Sequence, residues 1–438
     1  MANIFIHLSD IHFGQEKGGV VKVHDDVKEE IIIDVRKMTS AFSEKKADGV
    51  IISGDIAYAG KQEEYKHAGD WLDRLTAAAG CDREAVQLVP GNHDIDRSRI
   101  SLSAQHMINE IILGGDKALD KYLASERDRE ILYDRFSGYR VFAEGYDCPL
   151  DNDGNVLHPK LVEIADGKFI SFHGINTALI CSNNKDEEGK LLLGQRQRVI
   201  PRITSTETII VAHHPLNWIQ DSEDAKKYIE NRARIFVSGH EHKPDLKIAK
   251  SKHEKDLLLI SSGAAVPPEA SEEFNYCYNI LVFSFDETKQ KLIVKVFPRT
   301  WSDDLKEFCA DLKACGKDCC EYELECPNFS KPAFQDNVKF TSESSGTGQQ
   351  QPKKHTSEVN PTHIVMPDKQ DQVILLRFFR DLSSSQRLEL LVKMDALPSN
   401  LKDVINHTLE TALLRKLLAD GKAEQINDTI NIIIGPKI

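Results

Sequence analysis

Nowhere in the 438 residues is there a run approaching the ~18 apolar residues needed to span a bilayer, so no membrane insertion is expected. Neither a basic leader nor an extended apolar run precedes the first strand-like segment at about Asn3, so a secretory signal is not expected. A disulfide framework is missing too. Nine Cys, an odd number without regular spacing, fit a reducing compartment better than a stapled scaffold, and the chain reads as cytoplasmic. Basic charge is also short: the formal net charge is −13, and the segment from Asp371 onward carries nine Lys or Arg against nine Asp or Glu. The acid excess therefore lies in the first 370 residues. Such a body repels a nucleic-acid backbone unless metals or a local basic groove attract it, which disfavours non-specific coating of DNA and leaves a nuclease open.

What the chain does have is a set of strand-like runs that end in the same way. Val50-Ile51-Ile52-Ser53 stops at Gly54-Asp55, where a tight backbone turn leaves a carboxylate at the strand tip. Ile4 to Ser9 ends in Asp10-Ile11-His12, and Val86 to Val89 in Pro90-Gly91-Asn92-His93-Asp94. Ile209 to Ala212 ends in His213-His214-Pro215, and Ile235 to Ser238 in Gly239-His240-Glu241-His242. Apolar residues at steps of three or four predict helices over about 25–46 and 62–79, giving a β-α-β-α-β alternation with largely parallel pairing. In such sheets ligands gather beyond the carboxyl ends of the strands, where these Asp, Asn and His residues fall.

From about Ser101 to Tyr146 the sequence is helical and charged without a ligand-like cluster, and reads as an inserted cap. Later strand-like runs, including a hairpin from Tyr278–Phe283 to Lys291–Phe297, are expected in a second sheet packed on the first. Residues 339–370 are rich in Ser, Gly, Gln, Pro and Thr and read as a flexible linker between a domain at 1–338 and one at 371–438. In the latter, apolar residues return at helical spacing, with Ser383 to Ser385 offering an N-cap, so a small helical bundle is expected.

The five blocks predict a metal centre. Asp10, His12, Asp55 and His242 can hold one divalent ion while Asp55, Asn92, His213 and His240 hold a second, with Asp55 between them. His214 is the second choice beside His213. This mixture of N and O donors suits Mn, Fe, Zn or Co better than Mg or Ca, with Mn the expected ion in vitro. Two such ions lower the pKa of a water, fix phosphate oxygens and stabilise an in-line displacement. His93 is placed to donate a proton to the leaving group or to stabilise the transition state's charge, with Asp94 or another acceptor setting its tautomer. Arg97 and Arg99 are candidate clasps for a substrate phosphate, against the plainer reading of surface charge.

Asp10-x-His12, Gly54-Asp55, Gly91-Asn92-His93-Asp94, His213-His214-Pro215 and Gly239-His240-x-His242 stand in the order found in calcineurin-like metallophosphoesterases, which residues 3 to 300 resemble. The resemblance implies an α/β fold, a calcineurin-like β-sandwich flanked by helices, a dinuclear centre and hydrolysis of phosphodiesters or phosphomonoesters. It also favours His213, two residues before Pro, as the ligand. The protein-phosphatase branch carries Asp-Arg-Gly soon after Gly-Asp and a Glu after Gly-Asn-His. Tyr58-Ala59-Gly60 and Asp94 stand there instead, so the pattern resembles the bacterial-type phosphodiesterase branch more closely. Expected substrates are small nucleotides or nucleic acid. The alternatives are a nuclease effector controlled by its C-terminal part and a non-catalytic metal-binding scaffold.

Two further features carry plainer readings. His7 and His173 lie within strand-like runs and read as core histidines. Among Cys309, Cys315, Cys319, Cys320 and Cys326 only Cys315-x-x-x-Cys319 has zinc-ligand spacing, so buried thiols are the expected reading. The tail around Leu376–Leu382 and Thr411–Leu418 weakly resembles the death-fold-like adaptor domains attached to bacterial effectors. That implies a protein partner or self-association through 371–438; a plain dimerisation or stability module is the other reading.

Overall fold

A computed structural model describes residues 2–15, 21–150, 159–182, 187–250, 256–267, 275–329, 368–397 and 405–435. Strand β1 (Ala2–Leu8), helix α1 (Val21–Ala41), β2 (Gly49–Ile52), α2 (Gln62–Ala79) and β3 (Val86–Leu88) follow the predicted alternation, with β1, β2 and β3 parallel. Successive side chains leave opposite faces of a strand. Ile4, Ile6 and Leu8 of β1 thus meet the helices in one apolar cluster, while Phe5 enters a second cluster between the sheets.

The inserted helical segment forms α3 (Leu102–Ala124), kinked at Gly115, then α4 (Glu126–Tyr133) and α5 (Ser137–Gly145). It is tied to two stretches that flank the strand tips. Arg135 O accepts from Asp96 N–H (2.8 Å), and Gln220 Nε2 donates to Ile112 O (3.3 Å). Beyond it run β4 (Lys160–Ala165), β5 (Lys168–Gly174), the short α6 (Gln195–Arg198), β6 (Thr206–Val211), α7 (Ser222–Arg232), β7 (Ala233–Ser238), β8 (Pro244–Ala249) and β9 (Leu257–Ser262). These strands make a six-stranded sheet in the order β4-β5-β6-β7-β9-β8, with β5, β6, β7 and β9 mutually parallel.

The last strands depart from expectation. β10 (Cys277–Asp286) and β11 (Lys291–Ser302) do form a hairpin, but it joins the first sheet, with β10 antiparallel to β1. Both faces of β10 are apolar: Ile280 and Val282 enter the helix-side cluster, while Leu281 and Phe283 enter the cluster between the sheets. A strand of that kind needs a layer on each side, which the edge of β1 provides. β12 (Glu307–Ala310) and β13 (Cys320–Glu325) both pair with β11, and α8 (Leu312–Cys315) lies between them. Cys315 and Cys320 form a disulfide, and no candidate metal-ligand set among the described residues includes a cysteine.

Most of the linker expected at 339–370 lies outside the described residues. The tail comprises α9 (Lys369–Leu376), running on through a π-helical turn at Arg377–Asp381, then α10 (Ser384–Lys393), α11 (His407–Ala419) and α12 (Ala423–Ile434). Ser383 caps α10 in a reciprocal capping box with Gln386. The tail has its own apolar cluster around Phe378, Leu390, Leu414 and Ile430. It is also seated against α2 and α5: Leu376 is buried in the main cluster, and Arg380 pairs with Asp73. No helix among the described residues is long and apolar enough to cross a membrane.

Candidate metal centre

All five blocks converge at the carboxyl ends of β1, β2, β3, β6 and β7. Asp10, His12, Asp55, His240 and His242 all have positive φ, between 53° and 69°, a region that costs side-chain-bearing residues energy and tends to be retained at functional sites. Two glycines make room. A Cβ on Gly54 would stand 2.5 Å from His213 Nδ1, and one on Gly91 would strike the Asp55 carboxylate.

Asp55 is the hub. Its Oδ1 accepts from His93 N–H (2.7 Å), while Oδ2 alone faces both His12 Nε2 (3.3 Å) and His213 Nε2 (3.4 Å). On the His213 side, Asn92 Oδ1 lies 3.1 Å and His240 Nδ1 3.2 Å from His213 Nε2. On the His12 side, Asp10 accepts from His240 N–H through Oδ2 (3.1 Å), and His242 Nε2 stands 3.2 Å from Asp10 Oδ1. The donor sets Asp10–His12–His242, His12–Asp55–His93, Asp10–Asp55–His213 and His213–His214–His240 each come within 4.8 Å.

Backbone carbonyls fix the tautomers. His12 Nδ1–H donates to Val266 O (3.1 Å) and His213 Nδ1–H to Ser53 O (2.8 Å), which leaves each Nε2 lone pair pointing at the Asp55 carboxylate. Lone pairs facing a carboxylate oxygen and an amide oxygen repel unless a cation or a proton lies between them. His214 Nε2 is, moreover, buried without a hydrogen-bond partner. The residues present therefore fit a divalent cation. Burial opposes charge on His213, but the Asp55 and Asp10 carboxylates outweigh it and raise its pKa to about 9. Burial and then His213 push His240 down to about 3. Burial disfavours ionised Asp55, yet His213, His93 and His12 hold its pKa well below the usual carboxylate range.

His93 lies beside this group, with its ring 4.9 Å from that of His12 and stacked on Tyr58 at 5.2 Å and 29°. Its Nδ1–H donates to Tyr58 O (2.8 Å), so of the two options left open by the sequence, Asp94 or another acceptor, it is a backbone carbonyl that sets the tautomer. Asp94 instead holds the loops together. It accepts from Gly91 N–H (2.9 Å), Ile56 N–H (3.2 Å), Ala57 N–H (2.9 Å) and Tyr65 O–H (2.9 Å), and burial followed by the Asp55 charge raises its pKa to about 6. Arg97 donates to Asn92 O (2.9 Å) at the edge of the cluster; Arg99 forms an exposed fork with Asp134 and is turned to that partner. His7 and His173 are buried, hydrogen-bonded to Ser53 Oγ and Ser171 Oγ, and belong to no donor set among the described residues. The sequence did not reveal Ser53 and Val266 as carbonyl partners, since any residue carries that carbonyl. It also gave no reason to single out Trp218, whose ring lies 4.2 Å from that of His240.

The sequence model of the calcineurin-like phosphoesterase family matches residues 4–244, more than half of the chain, and the chain belongs to that family. Its members use divalent metal ions and hydrolyse phosphoesters. Residues 371–432 match the GTPase-associated adaptor domain. The uncharacterized metallophosphoesterase-like protein YydB of Bacillus subtilis (strain 168) is 28% identical over 288 residues, covering 62% of this chain and 55% of that protein. The chain thus spans about half the length of the curated relative it matches. Among solved structures, purple acid phosphatase PPD1 from yellow lupin (Lupinus luteus) is 12% identical with a TM-score of 0.39, over 79% of this chain and 57% of that one. The NAD nucleotidase NadN of Haemophilus influenzae is 11% identical with a TM-score of 0.34, over 71% and 53%.

Proposed function

We propose that this chain hydrolyses phosphodiesters at a centre for two divalent ions, one held by Asp10, His12, Asp55 and His242 and the other by Asp55, Asn92, His213 and His240. The observation that carries this reading is the position of Asp55 Oδ2, which faces the Nε2 lone pairs of both His12 and His213. When bound, such ions supply Lewis acidity at the phosphoryl group and activate water for attack. The chain's own part is positioning and proton transfer. Asp55 Oδ1 holds the His93 backbone and Tyr58 O accepts from His93 Nδ1–H, so Nε2 gives a proton to the departing oxygen from the imidazolium form, which takes that proton from solvent beforehand and which burial disfavours. Arg97, beside Asn92, is the better placed of the two arginines to meet a phosphate oxygen.

In this reading residues 1–338 form the catalytic unit and residues 371–438 an adaptor for a protein partner or a second copy of the chain. The excess of acid in the catalytic part favours small phosphodiesters over long nucleic acid. The test is turnover of a bis-aryl phosphodiester, cyclic nucleotides and single-stranded DNA by Mn-loaded protein. His93→Ala should lose roughly 100-fold or more in kcat while keeping its metal, the usual scale for a general acid. Unchanged turnover in that variant contradicts the role of His93.

A further inference from the structure

The chain has three tryptophans. Two are buried with their indole N–H satisfied: Trp71 Nε1 donates to Lys28 O (3.1 Å) and Trp301 Nε1 to Asp303 Oδ1 (3.1 Å). The third, Trp218, is half-buried and packs in part against the main apolar cluster, and no hydrogen bond from its Nε1 occurs among the described residues. A tryptophan combines a large apolar face with a polar tip, so a half-buried indole with its N–H unused is equipped to meet a ligand.

Its position adds to this. Trp218 ends a short 3-10 turn, Leu216–Trp218, that directly follows His213-His214-Pro215, so the block that delivers His213 also delivers the indole. The ring meets His240 at 83° with centroids 4.2 Å apart and lies 34° from His214 with centroids 5.8 Å apart. Neither neighbour is stacked squarely on it. The other aromatic ring at this centre, Tyr58, already has His93 stacked on it. Trp218 meets the rings of His240 and His214, whereas His93 meets those of Tyr58 and His12, so the indole and His93 touch different side chains of the centre.

We propose that Trp218 is a specificity-determining residue, the platform on which the planar base of a small nucleotidyl phosphodiester stacks while its phosphate sits among the ligand side chains. This rests on the phosphodiesterase reading and names the substrate arm that reading leaves open. The net charge of −13 and the single arginine beside Asn92 suit one or two phosphates and a stacked base, not a polyanionic backbone tracked over many residues.

The plainer role for Trp218 is to brace His240, and the test separates the two. Two non-hydrolysable phosphonates, one bearing adenosine and the other a bare ribose, are titrated calorimetrically into Mn-loaded wild type, Trp218→Phe and Trp218→Ala, with bound metal measured in each. Wild type should prefer the adenosine ligand by roughly 10- to 100-fold, the size of one base–aromatic stack. Trp218→Ala should bring the ratio to about one and Trp218→Phe should keep most of it. The indole fluorescence of wild type should fall with the adenosine ligand and not with the ribose ligand. Equal affinity of wild type for the two ligands, or a ratio that survives in Trp218→Ala, overturns the proposal, as does a loss of metal with both affinities falling together. Failure of the underlying reading looks different: wild type then binds neither phosphonate and turns over no phosphodiester.

Discussion

Gly69 offers a test in which the sign of a mutation depends on a residue more than 300 positions away. It lies inside α2, where Gly→Ala ordinarily stabilises a helix by about 1 kcal/mol. A Cβ there would strike the Arg380 guanidinium, which reaches from the tail to Asp73 Oδ1 (2.8 Å) and Tyr146 Oη (2.6 Å) over the Tyr146 ring. Arg380 is 8% exposed, so these bonds are largely desolvated. Hydrogen bonds to charged groups contribute about 1.5–3 kcal/mol, and Arg83 still pairs with Asp73 (2.7 Å) after displacement, so the carboxylate is not orphaned. Gly69→Ala should therefore cost the full chain a net ~1–2 kcal/mol. In an Arg380→Ala background the same change should stabilise it by about 1 kcal/mol, a coupling of ~2–3 kcal/mol. Urea denaturation of the four proteins followed by circular dichroism gives the cycle. If Gly69→Ala stabilises wild type as much as it stabilises Arg380→Ala, the guanidinium is not seated where the reasoning puts it.

Two further expectations concern the same contact. Leu376 is 2% exposed and belongs to the main cluster, so Leu376→Ala should cost about 2–5 kcal/mol in urea; a loss below ~1 kcal/mol would mean that the tail is not anchored there. His407 faces Phe379, Glu144, Arg140 and Arg387, and burial followed by the two arginines pushes its pKa down to about 3. A histidine held neutral takes up its proton on unfolding, so stability is complete above the ordinary value near 6.5 and is lost as pH falls from there towards 3. At about pH 5 the loss is ~2 kcal/mol, and it should vanish in His407→Phe when thermal melts at neutral and mildly acidic pH are compared. A wild-type melt that does not shift with pH contradicts the buried neutral state.

The strand tips were legible because each block pairs a β-branched run with a turn and a coordinating side chain, and that pattern is local. α2 was legible to its ends, since Tyr65, Ala68, Leu72 and Leu75 mark one buried face and Gly80 closes the helix in a left-handed cap. The placement of β10 and β11 was not, because a strand apolar on both faces fits the interior of either sheet and only the partner edge decides. The docking of the tail escaped for a related reason. No local pattern sets Arg380 and Arg415 apart from other arginines; only the fold brings Asp73, Glu144 and Asp147 opposite them. Tyr58 O as the partner of His93 was invisible because a backbone carbonyl carries no sequence signal, whereas Asp94 drew attention by being charged and adjacent.

The number of ions held per chain decides whether Asp55 organises a two-ion centre. After loading with Mn and removal of excess ion, native mass spectrometry of the full chain should show two ions per chain in wild type, and Asp55→Ala should lose them, since in the proposed centre its carboxylate serves both positions. Retention of two ions by Asp55→Ala, or a wild type that takes up no ion, would contradict a centre organised around that carboxylate.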